Sequence, residues 1–369
     1  MADGRKTIQK NNKVMCLFPK LMPNKKYQKN KKNGGIIPPL PIINGEEDKR
    51  VLFVPIACGN CMECRKAKAR EWQVRLSEEV KHQKLKPIMV TLTFSDESIL
   101  ELGNITKKKG YEQDNAIATL GVRRFLERWR KKYKKSLRHW FITELGHNGT
   151  ENVHMHGIVW TDKDPSEIRS IWKYGFVWLS TEDPSGFVNY RTVNYLVKYV
   201  HKSDEKHKYY KPKVLTSRGI GKGYTKTHNF KQNKFKSNGK TKDNYVNPQG
   251  YKFALPIYYR NKRYNEEERE ILWIEKLDKQ IRYVNGIKID VSENDINYLH
   301  ALKFAREKNK RLGYMEDTWS ADQWKYENKL RDLNNDKRKQ RAVARQVERG
   351  KKGSQLEQPI LYINPKDAF

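Results

Sequence analysis

The fold class of this chain is decided by two β-type runs, His139-Trp-Phe-Ile-Thr-Glu-Leu145 and Val153-His-Met-His-Gly-Ile-Val-Trp160. Aromatic and β-branched residues are frequent in both runs, and these residue types favour strands. The segment between them, residues 146–152, is short and polar, so the two runs predict an antiparallel hairpin. A third β-rich run at 88–94 predicts a central strand of the same sheet.

Helical patterns alternate with these strands. Apolar residues recur at helical spacing over 69–80, 122–133 and 192–202, and Lys or Arg residues occupy the other faces. A short helix is predicted at 166–172 and a strand at 175–180. The order of these elements predicts an α+β fold in which helices pack on one face of an antiparallel sheet.

Composition divides the chain into four predicted segments. They are an N-terminal loop with a Cys-rich stretch (1–65), a core (66–202), a basic loop region (203–260) and a charged helical C-terminal region (261–369). Two helical patterns lie near 265–282 and 293–310 in the last segment. Residues 320–350 are mostly charged and predict at most a solvated helix.

The charge of the chain predicts a polyanionic partner. The sequence has 76 Lys and Arg against 43 Asp and Glu, a net charge of +33, which is far beyond what solubility needs. No apolar run approaches the ~20 residues of a membrane span, and Met1-Ala-Asp-Gly-Arg-Lys6 lacks the apolar stretch of a secretory signal. These features exclude an integral membrane protein and predict a cytosolic protein that handles nucleic acid.

His154 and His156 form the sharpest local feature of the sequence. Residues two apart on a strand point to the same face, so the two imidazoles project together. If the hairpin forms, Glu144 reaches that face and completes a His₂-carboxylate site with open positions for substrate. Mn²⁺ suits such mixed ligands, Mg²⁺ is its abundant substitute, and His147 in the turn is a competing ligand with poorer aim. The alternative is a pair of packed or surface histidines and an exposed strand carboxylate.

Two tyrosines occupy one face of the predicted helix near 192–202. Tyr195 and Tyr199 are separated by four residues, and Lys198 and Lys202 form a second pair at the same spacing. A tyrosine hydroxyl is a poor nucleophile because its free pKa is ~10. Nearby cations and a metal-polarised phosphate would make it competent. The alternative is that both rings belong to the core.

The cysteines predict a second metal site. Cys58-Gly-Asn-Cys61-Met-Glu-Cys64 packs three thiols into a short stretch before a helix, and Cys16 is the remaining cysteine. Four thiolates at such spacing suit a structural Zn²⁺, which prefers four ligands. The alternative is a set of reduced, unliganded thiols, because four cysteines in a chain of this length do not make a disulfide scaffold.

Lys and Arg dominate residues 203–245, and aromatic residues are interleaved with them. Cations for phosphates and rings for unstacked bases are the composition of a surface that binds single strands. The candidate DNA-binding residues are Lys202, Lys208, Lys211, Lys213 and Arg218, and the interleaved rings are Tyr209, Tyr210, Tyr224 and Phe230. The alternative is a solvated flexible loop.

Three motifs in this order resemble those of HUH-type rolling-circle replication initiators. They are Thr91-Leu-Thr-Phe94, His154-Met-His156 and Tyr195-x-x-Lys198-Tyr199. The resemblance is closer still to the replication initiation proteins of microviruses, the small circular single-stranded DNA phages of the gokushovirus type. It extends over about residues 15–260 and includes the cysteine stretch, Glu144-Leu-Gly146 and Ser217-Arg-Gly-Ile-Gly221. Thr143 departs from the family pattern, which has Gly before the Glu.

The resemblance implies a fold and a reaction. The core is expected to be an HUH endonuclease domain of the ferredoxin/RRM-like kind. A divalent cation on the two histidines would polarise the scissile phosphate, and a tyrosine would attack in line to leave a 3′-hydroxyl and a 5′-phosphotyrosine. Tyr195 resembles the initiating nucleophile, Tyr199 the second, and Lys198 the residue that protonates the leaving oxygen or stabilises phosphate charge.

The resemblance also implies partners. Single-stranded and origin DNA, a host helicase and a host DNA polymerase are expected in the cytoplasm of a bacterial host. Two other interpretations remain open. One is an HUH transposase or plasmid relaxase, although relaxases usually carry three clustered histidines. The other is a non-catalytic basic protein that binds RNA or DNA and contains a zinc module.

Overall fold

A computed structural model describes residues 16–43, 45–146, 151–182, 188–204, 206–315 and 320–351. The strands are β1 Lys20–Pro23, β2 Ile42–Ile43, β3 Glu46–Glu47, β4 Phe53–Ile56, β5 Lys86–Thr93, β6 Arg138–Leu145, β7 Val153–Thr161, β8 Val177–Leu179, β9 Val214–Thr216, β10 Asn244–Val246, β11 Lys252–Ala254, β12 Ile281–Val284 and β13 Ile287–Asp290. The helices are α1 Met62–His82, α2 Asp96–Thr106, α3 Gly110–Tyr133, α4 Ser166–Ile171, α5 Tyr190–His201, α6 His228–Gln232, α7 Ile257–Arg263, α8 Glu266–Asp278, α9 Ile296–Arg311 and α10 Ala321–Lys351.

The central feature is a five-stranded antiparallel sheet in the order β8-β5-β7-β6-β9. The α+β class and the predicted β6–β7 hairpin are therefore confirmed. Its register pairs Glu144 with His154 across β6 and β7, and pairs Thr91 of β5 with His156. The sheet thus brings the two histidines between the carboxylate strand and the Thr91 strand.

Helices cover both faces of this sheet, which corrects the prediction of helices on one face. On one face, Leu92 of β5 packs in a core with Val122 and Phe125 of α3. On the opposite face, Trp140 of β6 packs in a second core with Leu196 of α5 and with α1. The physical reason is that the central strands carry apolar residues at both alternating sets of positions, so neither face is stable in water.

Gly157 is required where β6 and β7 approach each other. A Cβ atom at this position would collide with the backbone of Trp140 and the ring of Phe141. The glycine next to His156 therefore permits the close strand pairing that fixes the height of the imidazole.

Residues 206–264 form small elements and an aromatic core of their own. Strand β9 joins the edge of the central sheet beside β6, and β10 pairs with β11. The buried rings of Tyr224, Tyr245 and Tyr259 pack together against Val74 of α1. The segment is therefore folded onto α1, in contrast to a solvated flexible loop.

The C-terminal region contains more packed structure than its composition predicts. Helices α8 and α9 correspond to the two predicted helical patterns, and the β12–β13 hairpin lies between them. Helix α10 buries Arg331, Arg338 and Ala342 against α2 and α3, so the prediction of a solvated helix is wrong for this face. Helix α2 has no counterpart in the sequence prediction, although Ser95 caps it by accepting a hydrogen bond from Ser98 N (3.2 Å).

Among the residues that the structure describes, no helix combines the length and apolar character needed to cross a bilayer.

Candidate metal centre and nucleic-acid interface

The β6–β7 hairpin brings Glu144, His154 and His156 together on the face that α5 covers. The Nε2 atoms of His154 and His156 lie 3.4 and 3.2 Å from Glu144 Oε2. The three potential ligand atoms all lie within 4.8 Å of one another. Because the pleat repeats every two residues, Met155 points into the opposite core, as the alternation predicts.

The second nitrogen of each imidazole has its own partner. His156 Nδ1 lies 3.1 Å from Thr91 Oγ1, and His154 Nδ1 lies 3.3 Å from the carbonyl oxygen of Asn152. Such contacts set the ring orientation and direct Nε2 toward a ligand position. Neither Asn152 nor the Thr91 contact follows from the spacing of the motif, because both depend on which strands become neighbours.

Electrostatics of this cluster favour its metal-binding protonation states. Burial alone would raise the pKa of Glu144, but hydrogen bonds and charge interactions with His154 and His156 outweigh it and hold that pKa well below its usual range. Burial lowers the pKa of His156 and so favours the neutral imidazole, the form that binds metal ions. A carboxylate oxygen and two imidazole nitrogens fit a divalent cation such as Mn²⁺ or Mg²⁺ with open positions. The alternative ligand His147 lies outside the described residues.

Lys202 lies beside the metal-ligand cluster, although its sequence position suggests only a contact with DNA. Its Nζ atom is 3.0 Å from Glu144 Oε1. The side chain is 46% exposed, so it is in contact with both the carboxylate and solvent. Lys202 follows the end of α5, and only the docking of that helix onto β6 reveals this ion pair.

Helix α5 places the two tyrosines against the same cluster. Asn189 begins the helix as the N-cap of a capping box with Thr192. The hydroxyl oxygens of Tyr195 and Tyr199 lie 2.5 Å apart, and the Tyr199 ring stacks on the His156 ring with centroids 4.3 Å apart. Both rings pack against the core that α5 shares with the sheet, and both hydroxyls remain beside the metal ligands.

The environments of the two tyrosines differ. Burial raises the pKa of Tyr199, and the hydrogen bond with Tyr195 raises it further. Lys198 is exposed, and its Nζ atom lies 5.4 Å from the centroid of the Tyr195 ring. The cation is therefore next to Tyr195, the residue that the motif order marks as the first nucleophile.

The four cysteines converge in a second cluster at the start of α1. Their Sγ atoms all lie within 4.8 Å of one another and none forms a disulfide. Cys58 N donates to Cys16 Sγ (3.2 Å), and Cys61 N donates to Cys58 Sγ (3.4 Å). Contacts with the other thiols lower the pKa of Cys58 and raise the pKa of Cys64, because four adjacent thiols do not all ionise without a cation. Four sulfur donors fit a tetrahedral Zn²⁺.

The basic segment exposes its cations but buries most of its rings. The exposed cations are Lys208, Lys211, Lys213 and Arg218. Tyr210, Tyr224 and Phe230 are buried, and Tyr209 is half-buried, so the interpretation of these rings as an exposed stacking platform is wrong for the three buried ones. They bury because this segment needs an apolar core of its own.

Thr143, which departs from the family pattern, has a structural role. Its Oγ1 atom accepts hydrogen bonds from Tyr210 Oη (2.7 Å) and Lys213 N (2.8 Å) and donates to Asn115 Oδ1 (2.9 Å). The side chain points away from Glu144, because neighbouring strand residues face opposite sides. The hydroxyl thus attaches the basic segment to β6 without altering the carboxylate.

Comparison with known proteins gives one match. Residues 87–204 match a family model of replication-associated proteins, the ORF2 type. The matched segment begins in β5 and ends just beyond α5, so it contains Glu144, both histidines and both tyrosines. The match supports a role in replication initiation and is consistent with a rolling-circle initiator. No curated protein and no solved structure matches the chain.

Proposed function

We propose that this protein is a metal-dependent, site-specific single-strand DNA endonuclease and strand transferase that initiates rolling-circle replication. The observation that carries the proposal is the position of the paired Tyr195 and Tyr199 hydroxyls beside Glu144, His154 and His156. The family match over this segment and the net charge of +33 support it.

The first cut uses the face between α5 and the β6–β7 hairpin. A Mg²⁺ or Mn²⁺ ion held by Glu144, His154 and His156 would supply Lewis-acid polarisation of the scissile phosphate. The Tyr195 oxygen attacks phosphorus and loses its proton, while the bond from phosphorus to the 3′-oxygen breaks. Lys198 gives a proton to that leaving oxygen. The products are a 5′-phosphotyrosine and a free 3′-hydroxyl.

Tyr199 supports the first cut and performs the second. Its raised pKa keeps the hydroxyl protonated, so it donates to the Tyr195 oxygen 2.5 Å away and stabilises charge there as the proton leaves. After a polymerase extends the 3′ end, the Tyr199 oxygen cuts the regenerated origin. The freed 3′-hydroxyl then attacks the Tyr195 linkage, which closes a circle and releases Tyr195.

The cysteine cluster is a structural Zn²⁺ site in this proposal. The thiols pack with Leu17 and Met62 and with Leu302 of α9. A second link joins the same elements, because Met62 N donates to Asn309 Oδ1 (2.8 Å). Zinc at this position would hold the N-terminal segment, α1 and α9 together.

The biological setting follows from the resemblance to microvirus replication proteins. We propose single-stranded and origin DNA as substrates, a host helicase and a host DNA polymerase as partners, and the cytoplasm of a bacterial host as the location. The exposed cations Lys208, Lys211, Lys213 and Arg218 would contact the DNA backbone.

Covalent capture tests the proposal. The purified protein is incubated with Mn²⁺ and 3′-end-labelled oligonucleotides that tile the replicon encoding the chain, and the products are separated on a denaturing gel. A Mn²⁺-dependent protein–DNA adduct on one oligonucleotide is expected, because the 5′-phosphotyrosine retains the labelled side. A non-catalytic binding protein gives no adduct. A transposase or relaxase forms one but, unlike an initiator, does not release a closed circle when a second origin copy is supplied in the same strand.

A further inference from the structure

Arg331, in helix α10, is a fully buried cation outside the segment that matches the family model. Its Nε and Nη2 atoms donate to the two carboxylate oxygens of Asp114 on α3 at 2.7 and 2.9 Å. The side chains of this pair are 0% and 1% exposed. Two parallel charge-assisted hydrogen bonds in a buried site fix both position and direction. Helix α10 is therefore held firmly against α3 at this point.

The same guanidinium reaches the connection between β6 and β7. Arg331 Nη2 donates to the backbone carbonyl of Glu151 (2.8 Å), and Nη1 donates to its carboxylate (3.3 Å). Asn334 Nδ2 also donates to that carboxylate (3.2 Å). Glu151 has a φ of 48°, a left-handed conformation that a residue with a Cβ atom adopts only when its surroundings hold it there. Helix α10 supplies that restraint.

A continuous chain of contacts leads from Glu151 to a metal ligand. The next residue, Asn152, accepts hydrogen bonds at its carbonyl from His154 Nδ1 (3.3 Å) and Gly146 N (3.0 Å). Its side-chain amide donates to Asp96 Oδ1 (3.0 Å). The position of the Asn152 carbonyl therefore determines the direction of the His154 ring and the aim of its Nε2 atom at the ligand position.

We propose that Arg331 is a positioning residue for the metal centre, acting through Glu151 and the Asn152 carbonyl on the orientation of His154. This inference rests on the metal site proposed above. It gives helix α10 a function: the helix completes the support of the β6–β7 hairpin from the face of the sheet opposite α5. Contacts of this kind around a metal ligand typically change metal affinity by about 10–100-fold.

The test measures Mn²⁺ binding to the full chain without DNA, using the electron paramagnetic resonance signal of free Mn²⁺. Arg331→Met keeps apolar bulk but removes every donor, and we expect it to weaken Mn²⁺ binding by about 10–100-fold. The matched control is Asp332→Ala. Asp332 is the next residue of α10 and accepts a hydrogen bond from Gly110 N at the start of α3 (2.7 Å), so it tests docking of the helix alone. We expect the control to bind Mn²⁺ as the wild type does.

Each outcome decides between the proposals. Wild-type affinity in Arg331→Met, or an equal loss in Asp332→Ala, overturns the positioning role. If Arg331→Met loses its helical circular dichroism, Arg331→Lys replaces it, because Lys keeps the charge but lacks the planar fork that serves Asp114 and Glu151 together. An intermediate affinity then supports the role and an unchanged one overturns it. A wild-type protein that binds no Mn²⁺ contradicts the metal site itself, a result distinct from an effect of the variants.

Discussion

The described part of the chain contains two clusters of metal-ligating side chains, and they differ in donor chemistry. Glu144, His154 and His156 offer one oxygen and two nitrogens and face the tyrosines of α5. The four cysteines offer sulfur alone and pack against α9. Four sulfur donors close a tetrahedral site, whereas three mixed donors leave positions for a substrate. The comparison teaches that donor number and type separate a site for chemistry from a site for stability within one chain.

The two clusters also differ in how the fold assembles them. The Glu144–His154 pair is fixed by one rung of the β6–β7 ladder, so a slip of one residue would turn the ligands to the wrong face. Cys16 and Cys58 are 42 residues apart, so their meeting requires the closure of a long loop. Pairing strength sets the first site, and a bound metal ion would contribute to closing the second.

The largest expected effect separates the clusters by activity. His154→Ala or His156→Ala should reduce Mn²⁺-dependent cleavage by about a thousand-fold, since loss of metal polarisation costs about 4 kcal/mol of transition-state stabilisation. DNA affinity in EDTA should stay near wild type because phosphate charge supplies most of it. Single-turnover cleavage and filter binding measure the two quantities. Wild-type cleavage by the double variant would remove this site from the mechanism.

The tyrosines sharpen the assignment of chemistry to the histidine cluster. Tyr195→Phe should remove most of the first-cut adduct, because Phe keeps the ring packing and deletes only the hydroxyl. Tyr199→Phe should still form an adduct but release no closed circle. Peptide mapping of the DNA-linked fragment after a single cut identifies the nucleophile. An adduct on Tyr199 alone would reverse the two roles, and an adduct on neither would refute covalent tyrosine catalysis.

Cysteine substitution tests the opposite half of the comparison. Cys61→Ser should abolish a bound zinc of one per chain and cost at least about 2 kcal/mol of stability, about 4–8 °C in Tm on the scale of a 150–250-residue domain. The rate of the first cut, measured well below the Tm, should stay within about threefold of wild type. Elemental analysis, thermal unfolding and single-turnover cleavage give the three readouts. Loss of cleavage with an unchanged Tm would assign the cysteines to chemistry instead.

The smallest expected effect concerns cations that belong to neither cluster. Neutralising Lys208, Lys211, Lys213 and Arg218 together should weaken binding to single strands and flatten the plot of log affinity against log salt by up to about 3, at about 0.7 per phosphate contact. Titrations at several salt concentrations measure the slope. Replacing four exposed lysines elsewhere, such as Lys29, Lys32, Lys49 and Lys279, provides the matched charge control. An unchanged slope in the first variant would show that this surface does not meet phosphate.

Local patterns predict the parts of the site whose members are close in sequence. The two-residue spacing of His154 and His156 gives a shared face in any strand, and the four-residue spacing of Tyr195 and Tyr199 gives a shared face in any helix. Their distances from one another do not follow from spacing. The stacking of Tyr199 on His156 appears only when α5 docks on the sheet.

The basic segment shows where composition misleads. Alternating cations and rings are typical of a surface for single strands, yet Tyr210, Tyr224 and Phe230 are buried while the cations remain exposed. Composition does not distinguish a ring that stacks on a base from one that fills a core. The difference depends on whether other apolar groups reach the segment, as Val74 of α1 does here.

The sequence by itself determined the α+β class, the hairpin, the shared faces of the histidines and tyrosines, and the chemistry of both donor sets, because these depend on backbone periodicity and residue type. Only the tertiary structure decided that helices cover both faces of the sheet, that Cys16 joins the other thiols, that Lys202 pairs with Glu144, and that Arg331 supports the connection before His154. These contacts join residues far apart in the chain. Their formation depends on packing of complete elements, because burial of apolar faces and pairing of buried charges favour one arrangement among many that local patterns permit equally.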